Sequence, residues 1–529
     1  MTEEIPDHTY APLIPGKGVP HRVLLLLWFL AFGASAVAVL AVRSIGNLNL
    51  ETDFYWTFVP VARQILAGSL QLDPYKGPGY EAVLAVVRLV SGEFFRAGMI
   101  VSLASAALML LLLFHAVRKT FGEDAAVLVC AATAFNQVFM TLAYSASTDM
   151  FFAMLAVGVL FLLIQGNLSG RKELFLAGLT AGYAYLTRYN AIAILVAGGA
   201  GILWLCDTPI PFKRRIVAFF LYVLGASIWI IPFGLYTFHE TGRFIYNDNF
   251  YNVAYEVYAK GIVRWDDYWR VIAPHFRSFV DVISFDPGKF FSVLGGNVLD
   301  HGWRDLTSLV IWPVGLGAIL GIAAELRSGF TRTQAVVFLF GAVMFLVLLP
   351  VFYGERFSLF LVPFIVLLCV RFLQWRGFPF LAGRLWHRIS QVVMAGVLAW
   401  SLISGVAAIR ADLSQEPREI LTVRDEFNRL PVKPGGSTIA ARKPHIAYYL
   451  GLEYLPMPYA ESVPELVAAL RKSHAQYLYY GPAEATLRPE LRILLDTGQP
   501  QEGLSPIVET PRPRSVLYHV EPAGASGHD

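Results

Sequence analysis

The feature that most constrains this chain is a series of long apolar runs that carry no charge. Such windows begin at Val23, Ala97, Ala125, Met150, Ile216, Leu306, Thr333 and Ile389. Shorter ones begin at Leu174, Tyr189 and Phe357, with Arg188 or Arg356 at a boundary. A run of about 20 apolar residues crosses the hydrocarbon core of a bilayer. No water is present there to hydrogen-bond the backbone, so each run must satisfy its own N–H and C=O groups as a helix. About eleven spans are expected at that length. Composition agrees, with 56% hydrophobic and 15% charged residues, where soluble domains carry about 25% charge. A mean hydropathy of +0.54 excludes both a soluble globular protein and a disordered one. The net charge of +3 is too small for a nucleic-acid binder.

The charge is unevenly spread. Residues 411–529 hold 27 charged side chains in 119 positions, and the other 54 lie in the first 410 residues. The expected organisation is a membrane domain over 1–410 and a soluble domain over 411–529. Loop cations set the orientation. With a cytoplasmic N-terminus, the inside connections carry Lys17 and Arg22, Arg118 and Lys119, Arg171 and Lys172, Lys213 to Arg215, Arg327 and Arg332, and Arg376, Arg384 and Arg388. The outside segment 144–149 carries none. The first loop, a long loop over 238–305 and the C-terminal domain then lie outside. The first 20 residues are long and acidic for a signal peptide and offer no small-residue cleavage site, so the Val23 run reads as a retained helix. Cys130, Cys206 and Cys369 all fall in spans, which leaves the exported domain to its own core without a disulfide.

After Arg410 the pattern turns polar. Helices are expected at 417–430, 444–450, 463–472 and 484–495, and strands at 437–440, 476–480, 505–509 and 514–520. That alternation describes a small α/β domain. No glycine fingerprint for a dinucleotide opens any of its helices. In the first outside loop, residues 73–80 form a turn-rich hinge. The apolar run 82–87 that follows is too short to span and suits the membrane interface. The loop over 238–305 is rich in aromatics, including Phe244, Tyr246, Phe250, Tyr251, Tyr255, Tyr258, Trp265, Tyr268, Trp269 and Phe285. These rings suit either interfacial anchoring or a cap over a sugar or lipid site.

Charged groups at a membrane edge are costly and need an account. Asp53, Asp149, Arg188, Glu355 and Arg356 all fall at outside ends of helices on this topology. A secondary transporter or flippase would instead bury coupling groups near the midplane, and a non-catalytic sensor would need no such rim. A carboxylate beside a hydroxyl can act as a general base, and guanidinium groups can hold a phosphate. Asp53 with Arg188 and Arg356 supplies both functions on one outward-opening rim. The competing readings are structural: Thr52-Asp53 and Ser147 to Asp149 as helix caps, and the arginines as interfacial snorkels.

The motifs that carry these groups are Glu51-Thr52-Asp53-Phe54-Tyr55, Ala67-Gly68, Gly77-Pro78-Gly79-Tyr80, Ser147-Thr148-Asp149, Thr187-Arg188-Tyr189, and Glu355-Arg356-Phe357 ahead of a span containing Pro363. In order, spacing and topology the chain resembles the GT-C superfamily of glycosyltransferases that use polyprenyl-phosphate sugars. Within it, the resemblance is to bacterial relatives of protein O-mannosyltransferases and of the lipid A aminoarabinose transferase, and it covers residues 23–410. It implies an all-α polytopic membrane protein with a small C-terminal α/β extracytoplasmic domain in the cytoplasmic (inner) membrane. The implied activity is inverting transfer from a polyprenyl-phosphate sugar donor to the hydroxyl of a lipid, glycan or protein acceptor.

Carried over by position, Asp53 is the catalytic base and Asp149 the second acid of the pocket. Arg188 and Arg356 face the donor phosphate, with Glu355, Tyr189, Glu51, Tyr55 and Lys76 as further substrate-binding candidates. Many relatives have an acid directly after the first-loop aspartate, where this chain has Phe54, and Glu51 lies two residues earlier. No cofactor is implied with certainty. A divalent metal, if used, would fall to Asp53 and Asp149, and no His-rich ligand spacing is present.

Overall fold

The computed structural model describes residues 10–14, 33, 37, 39–205, 211–377, 383–431 and 437–522. Lys17, Arg22, Cys206 and most of the run that begins at Val23 lie outside the described residues. The chain forms two compact units. One comprises Met1–Leu40 and Ile65–Ala411, and the other Ala41–Gln64 and Asp412–Asp529. The segment 41–64 thus shares a unit with the C-terminal residues.

The larger unit is a bundle of apolar helices. Phe94–Phe121 packs on Asp149–Gln165, Arg171–Thr187 on Phe212–Thr241, and Trp312–Ser328 on Val362–Gln374. Among the described residues, four helical runs are long and apolar enough to cross a membrane: Phe94–Phe121, Phe212–Thr241, Glu355–Gln374 and Arg384–Arg429. The bent pair Glu123–Ala134 and Gln137–Ala143 makes a fifth if it is one span. Asp149–Gln165, Tyr189–Trp204 and Arg332–Leu348 are shorter apolar helices.

Small residues set the closest crossing. A Cβ on Gly178 would overlap the carbonyl oxygen of Tyr222, and one on Gly225 would overlap that of Phe175. The two helices meet backbone to backbone, which in an apolar medium maximises dispersion contact between them. Gly178→Val is expected to cost about 3 kcal/mol through overpacking that rotamer changes cannot relieve. A thermal-unfolding midpoint in detergent no lower than that of the wild type would contradict this.

The long loop builds its own core. Helices Phe250–Ala254, Trp265–Val271, Phe279–Phe285 and Pro287–Arg304 enclose Phe250, Tyr258, Tyr268, Phe276 and Phe290. Tyr268 donates to the carbonyl of Tyr251 at 2.6 Å and Tyr258 to that of Val282 at 2.7 Å. Most of its rings therefore pack on one another, while Phe244, Trp265, Trp269 and Phe285 stay exposed. Helix Gly79–Ser91 covers the short run at 82–87. It buries Tyr80, Leu84 and Ala85 and exposes Val86, Leu89 and Val90, an amphipathic pattern.

The smaller unit contains a five-stranded sheet: β1 (Thr438–Ala441), β2 (Glu453–Pro456), β3 (Tyr477–Tyr480), β4 (Leu504–Pro511) and β5 (Arg514–Val520). The order is β2-β1-β3-β5-β4, with β1 parallel to β2 and β3, and β5 antiparallel to β3 and β4. Every residue of β3 is buried, as a central strand covered on both faces requires. Helices Arg418–Arg429, His445–Leu450, Val463–Lys472 and Pro482–Leu487 complete the α/β unit. Strand β2 was not expected from the sequence. Four residues ending in proline carry little strand signal, and only the sheet edge recruits them.

Segment 41–64 is fastened into this unit by buried polar groups. Arg43 grips Glu51 through two hydrogen bonds of 2.6 and 2.7 Å, with Asp412 at 3.5 Å and Glu416 at 3.8 Å. His445 is fully buried with its ring 4.3 Å from that of Tyr55. Burial lowers its pKa to about 3, so the neutral imidazole is the folded form. A depressed histidine pKa contributes stability above about pH 6.5, and that stability is lost as pH falls toward 3. Glu484, raised by burial to about 7, has the opposite slope between its ordinary pKa and 7. The comparison that isolates the histidine is therefore wild type against His445→Phe. The stability difference is expected to move in favour of the variant as pH drops from 6.5 to 4, and a difference that is constant with pH would refute it.

Candidate active site

The larger unit gathers one carboxylate and two guanidinium groups. Asp149 opens helix Asp149–Gln165 and is 2% exposed. Arg188 follows directly on helix Arg171–Thr187, where its extended backbone (φ −151°, ψ 131°) ends the helix and frees the side chain to turn inward. Arg356 lies in the single turn Glu355–Ser358. Arg188 donates through Nη1 to Asp149 Oδ1 and, at 3.4 Å, to Thr148 Oγ1. Arg356 donates through Nε to Asp149 Oδ2 at 3.1 Å. The Phe357 ring lies beside both cations, 5.2 Å from Arg188 and 5.4 Å from Arg356. Cation–π contact and the apolar ring strengthen the local electrostatics.

The charge balance decides what such a cluster can take. One carboxylate meets two guanidinium groups and the positive end of a helix, so the cluster retains net positive charge. The arginines keep 16% and 21% of their side chains exposed. Each oxygen of Asp149 accepts from a guanidinium group, and those two positive charges repel a cation at this carboxylate. Among the described residues no group of three or more His, Cys, Asp or Glu could hold a metal ion. The donor set fits an anion and does not fit a divalent metal.

A second cluster lies in the turn 73–80. Lys76 lies half-buried between Asp73 and Glu81, 3.0 Å from Glu81 Oε1. Gly77 and Gly79 lie against the backbone of Leu186 and Thr187, where a Cβ would come within 2.6–2.9 Å of it, and Tyr183 donates to the carbonyl of Gly79 at 2.8 Å. Asp248 N–H donates to the carbonyl of Pro74 at 2.8 Å, and the Asn249 amide to that of Tyr75 at 3.0 Å. The expected hinge is thus clamped between the end of the Arg171–Thr187 helix and the long loop. Tyr189 is buried, packs with its ring tilted at 5.2 Å from that of Tyr185, and its hydroxyl has no hydrogen-bond partner among the described residues. Glu355 is exposed.

The remaining candidates belong to the smaller unit. Asp53 is exposed and precedes the π-helix Phe54–Phe58, and its side chain makes no capping hydrogen bond there. Glu51 is fully buried and committed to Arg43 and to the N–H of Asn47. Tyr55 is buried as well, its hydroxyl accepting from Gly46 N–H at 3.0 Å and lying 3.1 Å from that of Tyr449. Packing thus occupies Glu51 and Tyr55, although both read as ligand candidates in the sequence. Asp305, Tyr353 and Ser358, a buried polar cluster beside Arg356, were not singled out from the sequence. The only hint was the placement of Asp305 at the start of an apolar run.

The chain shares its fold with proteins of known structure. The chain is similar to the ArnT of Cupriavidus metallidurans bound to undecaprenyl phosphate, with a TM-score of 0.57 and 13% identity over 95% of this chain and 99% of that one. It is also similar to the archaeal oligosaccharyltransferase AglB of Archaeoglobus fulgidus, in complex with an inhibitory peptide and a dolichol-phosphate. There the TM-score is 0.53, with 10% identity over 87% of this chain and 70% of that one. Identities this low establish a shared fold and no more. Residues 75–236 match the family model for dolichyl-phosphate-mannose-protein mannosyltransferases. That stretch holds the 73–80 turn from Tyr75 onward, Asp149 and Arg188. No curated protein shows significant sequence similarity to the chain.

Proposed function

We propose that the protein is an integral membrane glycosyltransferase that moves a sugar from a polyprenyl-phosphate carrier to an acceptor hydroxyl with inversion. The observation that carries this reading is the net-positive cluster of Asp149, Arg188 and Arg356, whose ligand preference is an anion at the rim of an apolar bundle. A lipid-phosphate donor supplies that anion and brings its own hydrophobic anchor. Inline displacement breaks the bond between the anomeric carbon and the phosphate oxygen and forms a bond to the acceptor oxygen. The acceptor proton goes to Asp53, and the electron pair stays on the departing lipid phosphate. Arg188 and Arg356 stabilise that developing charge, and Asp149 holds both in position. Lys76 and Tyr189 contribute further contacts to the donor end, with Glu355 on the rim.

About eleven crossings, a cytoplasmic N-terminus and an extracytoplasmic smaller unit complete the proposal, with the reaction on the outer face of the cytoplasmic membrane. The loop cations support this orientation. The test is transfer of labelled sugar from a polyprenyl-phosphate donor by the purified protein in detergent or proteoliposomes. Transfer to a lipid, glycan or protein acceptor supports the proposal. Translocation of the donor across vesicles with no transfer overturns it.

A further inference from the structure

Asp305 is a buried carboxylate, 4% exposed, that forms no ion pair among the described residues. Burying such a group is costly unless its partners repay the desolvation. Its hydrogen-bond partner is a hydroxyl: Tyr353 donates to Oδ1 at 3.0 Å. The Ser358 side chain, itself 4% exposed, lies near enough to the same carboxylate to favour its charged form. These two residues bracket Arg356, three positions before it and two after. The turn they flank, Glu355–Ser358, is the first turn of the helical run Glu355–Gln374, where the leading N–H groups have no partner within the helix. The other groups against Tyr353 come from the same source. The His301 ring meets the Tyr353 ring at 5.3 Å, and the Arg304 guanidinium lies 5.3 Å above it. Both belong to helix Pro287–Arg304, which closes the aromatic loop and leads directly into Asp305.

We propose that Asp305 is a positioning residue: by holding Tyr353 it fixes the entry to the turn that delivers Arg356 to Asp149. The long loop is thereby coupled to the cationic cluster through one carboxylate. A loose turn would let the Arg356 fork swing away from Asp149 and from the donor phosphate. The inference deepens the proposed function, and on its catalytic side it rests on that reading.

The test is a double-mutant cycle on the full-length protein: wild type, Asp305→Ala, Arg356→Ala and the double variant. Asp305→Ala is expected to lower transfer by about 100-fold, the scale of a displaced positioning contact. Its effect should vanish when Arg356 is already alanine, because residues that act through one another are non-additive. A full multiplicative loss in the double variant overturns the proposal. Thermal unfolding of the same four proteins gives a readout independent of activity. Coupled midpoint shifts are expected, and additive shifts overturn the inference. If no protein in the set transfers sugar, the functional reading fails while the unfolding cycle still decides the role of Asp305. Tyr353→Phe removes one hydrogen bond and leaves the carboxylate in place, so the cycle can be repeated if Asp305→Ala does not fold. In that repeat, multiplicative activity losses and additive midpoint shifts again count against the proposal.

Discussion

Purified protein carrying Asp53→Asn is expected to transfer sugar at least about 100-fold more slowly than the wild type, the usual scale for loss of a general base. The substitution keeps the size and shape of the side chain and removes its ability to take a proton. Asp53 is exposed and does not cap the helix that follows it. The variant should therefore stay within about 0.5 kcal/mol of wild-type stability. The loss should fall on kcat with little change in the KM for the donor, because the proton moves only in the transition state. A change in rate under about threefold, against the 10²–10⁴-fold expected of a base, would remove Asp53 from the chemistry. A rise in donor KM at constant kcat would reassign it to binding.

The largest combined loss is expected for Asp149→Ala. The wild-type carboxylate, 2% exposed, accepts from Arg188 on one oxygen and from Arg356 on the other. Removing it leaves two guanidinium groups facing each other without an anion. Breaking a buried pair by deleting one partner costs about 3–5 kcal/mol. The partial exposure of both arginines, 16% and 21%, places the expected value near the lower end of that range. Sugar transfer should also be lost, since neither cation is then held for the phosphate. The sign of one further effect separates this account from simple misfolding. Undecaprenyl phosphate should raise the unfolding midpoint of Asp149→Ala by more than it raises that of the wild type, because the lipid phosphate supplies the missing negative charge. An equal or smaller rise would mean that the two arginines do not form an anion site.

The two predictions concern different compact units, and this bears on how far a reading of residues alone could go. Glu51 and Asp53 stand two positions apart in one motif and look equivalent as first-loop acids. In the structure Glu51 is fully buried against Arg43, while Asp53 is exposed. The difference comes from Arg43, Asp412 and Glu416, and the last two lie more than 350 positions away in sequence. Tyr55 is likewise claimed by His445, Tyr448 and Tyr449. The aromatic loop reads in sequence as an interfacial belt or as a cap. It proves to be a small core of its own, because its rings satisfy one another before they meet anything else.

What this amino-acid sequence determined by itself is what depends on neighbours within a turn or two. Apolar content along a run demands a helix, the shift in charge near residue 410 marks a change of surroundings, and periodic alternation outlines most of the C-terminal α/β unit. The charges of Asp149, Arg188 and Arg356 are conspicuous in the sequence too, because a charge beside an apolar run stands out locally. Tertiary structure alone decided which of these charges meet. Arg188 and Arg356 reach Asp149 across 39 and 207 positions of sequence, and Ser358 and Tyr353 close on Asp305 across about 50. Contacts over such separations arise from helix crossings, where glycine permits close approach and a short turn can be held from outside. No local pattern encodes them, because the free energy that selects them comes from packing the whole unit at once.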